Sequence, residues 1–156
     1  MSPLLGRAQY TELARRNTLE IVLMSRSASD RITEATSKAS LITIVDDDPA
    51  VRKSLERLMR AAGFRTEAFA SAEDFVHEGD HEETACLVLD LRLPGMSGLE
   101  LQRYLVDEQY RVPIVFVSAH DEPEARSQAL KAGAVAFLGK PFSDQVLLDA
   151  VHSVTK

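Results

Sequence analysis

Cysteine occurs once in the 156 residues, at Cys86, so no disulfide framework can form within the chain and the fold must rest on an apolar core suited to a reducing compartment. Cys86 itself sits in an apolar strand pattern and reads as a small core residue. Long apolar runs are also missing. No stretch approaches the roughly 18 residues of a membrane helix, and Ile21-Val22-Leu23-Met24 is too short for the core of a signal peptide. A basic excess is absent as well. The net charge is -6, with residues 1 to 40 at +2 and residues 41 to 156 at -8, so the larger part should repel nucleic acid and anionic membrane. These absences predict a soluble, cytoplasmic protein that binds neither.

What is present divides the chain at about residue 40. Residues 1 to 24 carry a loose helical pattern of Tyr10, Leu13, Ala14, Ile21 and Met24, interrupted by Asn17 and Glu20. Residues 25 to 40 hold 7 Ser or Thr in 16 positions, too little apolar surface to offset chain entropy. Residues 1 to 40 are therefore expected to be an N-terminal extension or flexible linker. Met24 is a second plausible initiator. From Leu41 onward, strand and helix signals alternate five times, the pattern of crossover units on a parallel sheet covered on both faces.

The expected elements follow from local chemistry. Leu41 to Val45 reads as a first strand. Asp48 caps a helix with Pro49 at its first position and Val51, Leu55, Leu58 and Met59 on its apolar face, stopped at Gly63. A short strand from Arg65 to Phe69 leads to Ser71 and Asp74, at capping spacing for a helix ending near Gly79. A third strand ends at Asp90, and a helix runs from about Gly98 to Glu108. Ile114 to Ser118 is a continuous apolar strand. A helix from about Glu122 to Ala132 has only Ala125, Ala129 and Ala132 on its inner side, and Ala134 to Gly139 makes a fifth strand. Ser143 caps a last helix whose Val146, Leu147, Ala150, Val151 and Val154 are expected to face the core.

The carboxyl ends of these strands carry the chemistry. In an open parallel sheet ligands sit at those ends, which here supply Asp46, Asp47, Asp90, Ser118 and Lys140. Two like charges about 4 Å apart repel by roughly 4 kcal/mol at an effective dielectric of 20, so three clustered carboxylates call for a bound cation. Oxygen-only donors in an open crevice suit magnesium or manganese. Asp90 is then a carboxylate nucleophile toward phosphorus, with the metal and Lys140 neutralising phosphoryl oxygens and the Ser118 hydroxyl donating a further hydrogen bond. Taken singly, Asp46, Asp47, Ser118 and Lys140 are ordinary turn, cap and loop residues. Four successive strands placing complementary groups at one edge is what turns the reading toward phosphate chemistry.

Four segments resemble a known family in order and spacing: Ile44-Val45-Asp46-Asp47-Asp48-Pro49, Leu89-Asp90-Leu91-Arg92-Leu93-Pro94-Gly95-Met96-Ser97-Gly98, Val117-Ser118-Ala119 and Gly139-Lys140-Pro141-Phe142. They resemble the receiver domains of two-component response regulators, over residues 41 to 156. The resemblance implies a flavodoxin-like (CheY-like) doubly wound α/β fold with five parallel strands in the order 2-1-3-4-5 and five helices. It implies that Asp90 takes a phosphoryl group from a sensor histidine kinase or histidine phosphotransfer protein. Asp46, Asp47, Asp90 and the Arg92 backbone carbonyl would hold the metal, and Ser118 and Lys140 would contact the phosphoryl group. The resemblance further implies a cis bond before Pro141, a switch pairing Ser118 with the ring of Phe137, and tuning of phosphate lifetime by Arg92 and His120; from its bulk, Arg92 is expected to slow hydrolysis. The segments from Gly63 to Phe69 and from Ser71 to Phe75 look like the nitrogen-fixation regulator subfamily, whose receivers usually precede a DNA-binding domain.

The expected output is a changed protein-binding surface near Phe137 and the fourth helix, read by a downstream protein or by a second copy through the helix 4/strand 5 face, with no direct nucleic acid contact. The chain would catalyse only its own phosphorylation and dephosphorylation. The alternative is the receiver fragment of a DNA-binding regulator whose output domain is absent, since the chain ends just after the last expected helix. A phosphohydrolase of the haloacid-dehalogenase kind wants a second acid two residues after the nucleophile, where Arg92 stands instead. A receiver working without phosphate fits poorly with the intact acid set. His77, His81 and His152 show no metal-ligand spacing.

Overall fold

The computed structural model describes residues 39–120 and 122–155; the expectations for residues 1 to 24, and for most of the 25 to 40 linker, fall outside them. Five parallel strands form one sheet in the order β2-β1-β3-β4-β5: β1 Leu41–Val45, β2 Arg65–Phe69, β3 Thr84–Asp90, β4 Ile114–Ser118 and β5 Ala136–Gly139. Five helices alternate with them: α1 Pro49–Ala61, α2 Ala72–Glu78, α3 Gly98–Asp107, α4 Pro123–Lys131 and α5 Asp144–His152.

Period-2 alternation sorts the strand side chains onto two faces. Ile42 and Ile44, Cys86 and Val88, and Val115 and Val117 pack with Leu55 and Met59 of α1 and Leu147 and Val151 of α5. Val45, Leu87, Leu89, Ile114 and Phe116 pack on the other face with Phe75 of α2, Leu101 and Leu105 of α3 and Ala129 of α4. Both faces are covered, which is why β1 and β4 are apolar almost throughout and buried at every position. Each fully buried Leu, Ile or Phe contributes about 1.5–3 kcal/mol, and the largest are shared between the strands, with Phe116, Ile42, Ile44, Leu87 and Leu89, and the helices, with Phe75, Leu101, Leu105 and Leu147.

The helix starts follow the expected caps. Asp48 Oδ1 accepts from Ala50 N at 2.9 Å, Ser71 Oγ from Asp74 N at 3.0 Å and Ser143 Oγ from Val146 N at 3.2 Å. Ser97 and Glu100 form a reciprocal capping box at α3 that the reading of the sequence passed over, although Ser-x-x-Glu before an apolar helix is its signature.

Three expectations are corrected. Val146 is 47% exposed, because α5 turns Leu147 and Val151 inward and the residue before Leu147 points about 100° away. Ala132 is exposed, since α4 ends at Lys131 and Ala132 is its C-cap. Strand β5 begins at Ala136 rather than Ala134, the chain first tying in through Val135 N to Ile114 O at 2.8 Å. At the start of the domain, Ala39 and Ser40 are held to it: their carbonyls accept from Arg65 Nε at 2.7 Å and Arg65 N at 3.0 Å.

Gly98 sets how closely α3 approaches the end of β3. A Cβ there would stand 2.6 Å from the Asp90 carbonyl oxygen and 3.0 Å from Leu91 Cα, and neither backbone atom can rotate away. Gly98→Ala is expected to lower unfolding stability by about 1–3 kcal/mol, the range for forced overpacking. Urea unfolding checks this, and an unchanged midpoint would count against the close packing described.

Candidate functional site

Strand β1 stops where its apolar run meets consecutive acids, and β3 stops at Asp90, so both deliver carboxylates to the same edge of the sheet. Strands β1 and β3 are direct neighbours, with Val45 paired to Leu89, which puts Asp46 beside Asp90. One carboxylate oxygen from each of Asp46, Asp47 and Asp90 lies within 4.8 Å of the others. The three differ in exposure: Asp46 is fully buried, Asp90 is 8% exposed and Asp47 is open to solvent.

The buried pair is held by specific donors. Asp46 Oδ1 accepts from Asp48 N at 2.9 Å, and its backbone carbonyl accepts from Arg52 Nη1 at 2.8 Å. Asp90 Oδ1 accepts from Arg92 N at 3.2 Å. Lys140 follows β5, its N–H donating to Ser118 O at 2.7 Å. Its Nζ lies 3.2 Å from Asp46 Oδ2 and 3.8 Å from Asp90 Oδ2, one ammonium between two carboxylates. The Lys140-Pro141 bond is cis.

Three carboxylates against one ammonium leave the pocket with excess negative charge. The Asp90 carboxyl is accordingly pushed up from 3.8 to about 6, by burial first and then by Asp46, while Lys140 opposes the shift. A second cation placed among these oxygens would relieve the repulsion. The donor set is entirely oxygen and partly open, which fits a hard divalent ion of the magnesium kind. Acidic residues and a cation-demanding pocket thus coincide.

The remaining expected residues are placed less uniformly. Ser118 is buried at the end of β4, and its hydroxyl donates to His120 O at 3.0 Å and accepts from His120 N at 3.1 Å, so it is occupied with its own loop. The His120 side chain is exposed. Phe137 is 6% exposed and stacks on Phe116 with ring centroids 5.9 Å apart. Arg126 of α4 covers the ring at 5.3 Å and donates to the Phe137 carbonyl at 3.1 Å. Nothing in the sequence marks Arg126, one exposed arginine of a weakly patterned helix.

The loop from β3 to α3 is fastened at both sides. Glu73, in the first turn of α2, accepts from Met96 N at 2.7 Å, a bond that is the main cause of its lowered pKa. Gly95, at φ +74°, lets that carboxylate pass, since a Cβ would stand 2.4 Å from Glu73 Oε2. On the other side Arg92 pairs with Glu122 at the start of α4, its Nε donating to Glu122 Oε2 at 3.0 Å and its Nη2 to Glu122 Oε1. No local sequence signal marks these partners, which lie 23 and 30 positions apart. Cys86 stays in the core, its thiol pushed up to about 12 by burial. Among the described residues no helix is long and apolar enough to cross a membrane.

Comparison with known proteins gives matches of three kinds. Residues 42–152 match the family model of the response regulator receiver domain. Nodulation protein W of Bradyrhizobium diazoefficiens is 44% identical over 124 residues, covering 80% of this chain and 54% of that protein. The response regulator protein TodT of Pseudomonas putida is 42% identical over 119 residues, covering 76% and 52%. Among solved structures, that of the response regulator StyR is similar at TM-score 0.71 and 45% identity over 75% of this chain and 59% of that one. The crystal structure titled FixJ-N is similar at TM-score 0.67 and 36% identity over 76% and 94%. The chain spans about half the length of the curated relatives it matches.

Proposed function

The chain belongs to the response regulator receiver domain family of two-component systems, and from that premise we propose that Asp90 is its phosphoacceptor, charged by a sensor histidine kinase or a histidine phosphotransfer protein. An Asp90 carboxylate oxygen attacks the phosphorus of the phosphohistidine; the phosphorus–nitrogen bond breaks and its electron pair returns to the imidazole. What supports this most is the single ammonium of Lys140 lying between Asp46 and Asp90 at 3.2 and 3.8 Å, beside a third carboxylate.

Asp46, Asp47, Asp90 and the Arg92 backbone carbonyl would hold a magnesium or manganese ion, which supplies positive charge against the phosphoryl oxygens. Lys140 supplies the second positive charge, and Ser118 donates its hydroxyl once it leaves the His120 backbone. Phe137, under Arg126, carries the state of Ser118 to the α4/β5 face, where a downstream protein or a second copy would read it. Arg92 and His120, whose side chains are both exposed, would tune how long the acyl phosphate lasts.

Incubation with magnesium and acetyl phosphate, followed by intact mass measurement, tests the assignment. One added phosphoryl group is expected on the parent and none on Asp90→Asn. A parent that stays unmodified, or an Asp90→Asn variant that labels equally, would overturn it. A second reading, the receiver portion of a DNA-binding regulator, is favoured by the half-length coverage of relatives described as transcriptional regulatory proteins. It uses the same Asp90 chemistry with a different recipient.

A further inference from the structure

The side-chain partner of Arg92, Glu122, has no part in the phosphoacceptor reading. Arg92 and Glu122 meet fork to fork, with both guanidinium prongs on both carboxylate oxygens. Glu122 makes no capping bond at α4, so its carboxylate serves Arg92 and not the helix. The pair is open to water, with Arg92 62% and Glu122 23% exposed in their side chains. The Arg92 backbone, by contrast, is anchored at the acceptor itself, its N–H donating to Asp90 Oδ1 at 3.2 Å. The main chain of Arg92 thus belongs to the acceptor while its side chain is drawn aside onto α4.

A phosphoryl group on Asp90 would bring about two negative charges and three acceptor oxygens. A guanidinium fork binds such a group bidentately, as it binds a carboxylate. Glu122 and the phosphoryl group are therefore rivals for one cation. The geometry points to Glu122 as a positioning residue that sets the lifetime of the acyl phosphate, by holding the Arg92 guanidinium away from it. This rests on the assignment of Asp90 as phosphoacceptor.

Hydrolysis needs a water oxygen to reach phosphorus from the open side. The bond from phosphorus to the Asp90 oxygen breaks, its electron pair stays on the carboxylate, and the water's proton passes to solvent with inorganic phosphate. A guanidinium lying on the phosphoryl oxygens blocks that approach. One held on Glu122 leaves it clear. An exposed ion pair competes only modestly, so the expected effect is a change of lifetime of roughly two- to fivefold.

The experiment labels the parent, Glu122→Gln, Arg92→Ala and the double variant with acetyl phosphate and magnesium, removes the donor by desalting and follows the decay by intact mass. Glu122→Gln should lengthen the lifetime two- to fivefold, and Arg92→Ala should shorten it. The double variant should decay like Arg92→Ala alone, because Glu122 acts only through Arg92. A pair that merely pinned α4 would not produce this dependence. An unchanged lifetime in Glu122→Gln would overturn the inference, and so would the same lengthening with Arg92 already removed. Failure of the parent to label at all would instead bring down the assignment beneath it, and the inference with it.

Discussion

Lys140→Ala is expected to slow phosphoryl uptake by about two orders of magnitude, the usual cost of removing one preorganised stabilising group from a transition state. Two effects run in the same direction. The ammonium lies 3.2 Å from Asp46 Oδ2 and 3.8 Å from Asp90 Oδ2, so it is placed to meet negative charge on a phosphoryl group bonded to Asp90. It is also the principal group holding the Asp90 pKa down. Without it, only the Arg92 N–H bond opposes burial and the neighbouring acids, and a larger fraction of Asp90 is protonated and unable to attack phosphorus. Metal binding should move the other way. Removing a cation from among three carboxylates leaves them more attractive to a divalent ion, so magnesium should bind Lys140→Ala at least as tightly as the parent. Calorimetric titration with magnesium and a time course of labelling with acetyl phosphate separate the two quantities. Uptake at the parental rate would remove Lys140 from the chemistry, and lost metal binding would mean the substitution had damaged the pocket as a whole.

This division of labour is partly legible in the amino-acid sequence. Apolar runs that end abruptly in Asp46-Asp47, Asp90, Ser118 and Lys140 mark strand ends, and parallel strands bring their ends to one edge. The local signals were strong for the caps at Asp48, Ser71 and Ser143 because each is chemistry within three residues of its helix. The strand order came from family resemblance, since periodicity says which face a residue takes but not which strand lies beside it.

Other features were not legible for identifiable reasons. Asp46 and Asp47 are the same residue type in adjacent positions, and only the direction of the chain leaving β1 buries one and exposes the other. Val146 fits a helical stripe as well as Leu147 does, and only the burial of Leu147 in the core shared with β1, β3 and β4 decides between them. The pairings of Arg92 with Glu122 and of Glu73 with Met96 depend on how far two loops stand apart, which no spacing encodes. Glycine gave a partial clue: Gly95 and Gly98 both lie in the segment after Asp90, and each admits a close approach that a side chain would block. The loop's shape was therefore written in its glycines, while the identity of what approaches was not.

Asp90→Asn should make the metal-free protein more stable, by about 2 kcal/mol at neutral pH. The folded protein holds the Asp90 carboxyl near pKa 6 against an ordinary value of 3.8, a difference equivalent to roughly 3 kcal/mol at full expression, reduced in the variant because Lys140 loses one of its partners. The sign follows from proton counting. Between about pH 3.8 and 6 the folded state binds more protons at Asp90 than the unfolded state, so the parent loses stability as pH rises through that window and carries the whole penalty above it. An amide never ionises and avoids that penalty. The advantage of Asp90→Asn should therefore be full at about pH 7.5 and largely gone near pH 4. Magnesium should erode it from the other side, since an ion bound only by the folded parent adds about 2.7 kcal/mol at a hundred times its dissociation constant, and the variant lacks one carboxylate ligand. Urea unfolding at the two pH values, with chelator and then with excess magnesium, measures each term. A variant less stable than the parent at neutral pH without metal, or an advantage that grows as pH falls, would mean that Asp90 is not held against its charge. If instead the advantage behaves as expected, Asp90 is a carboxylate kept ionised at the expense of the fold, and a divalent cation bound among the three carboxylates relieves that unfavourable interaction.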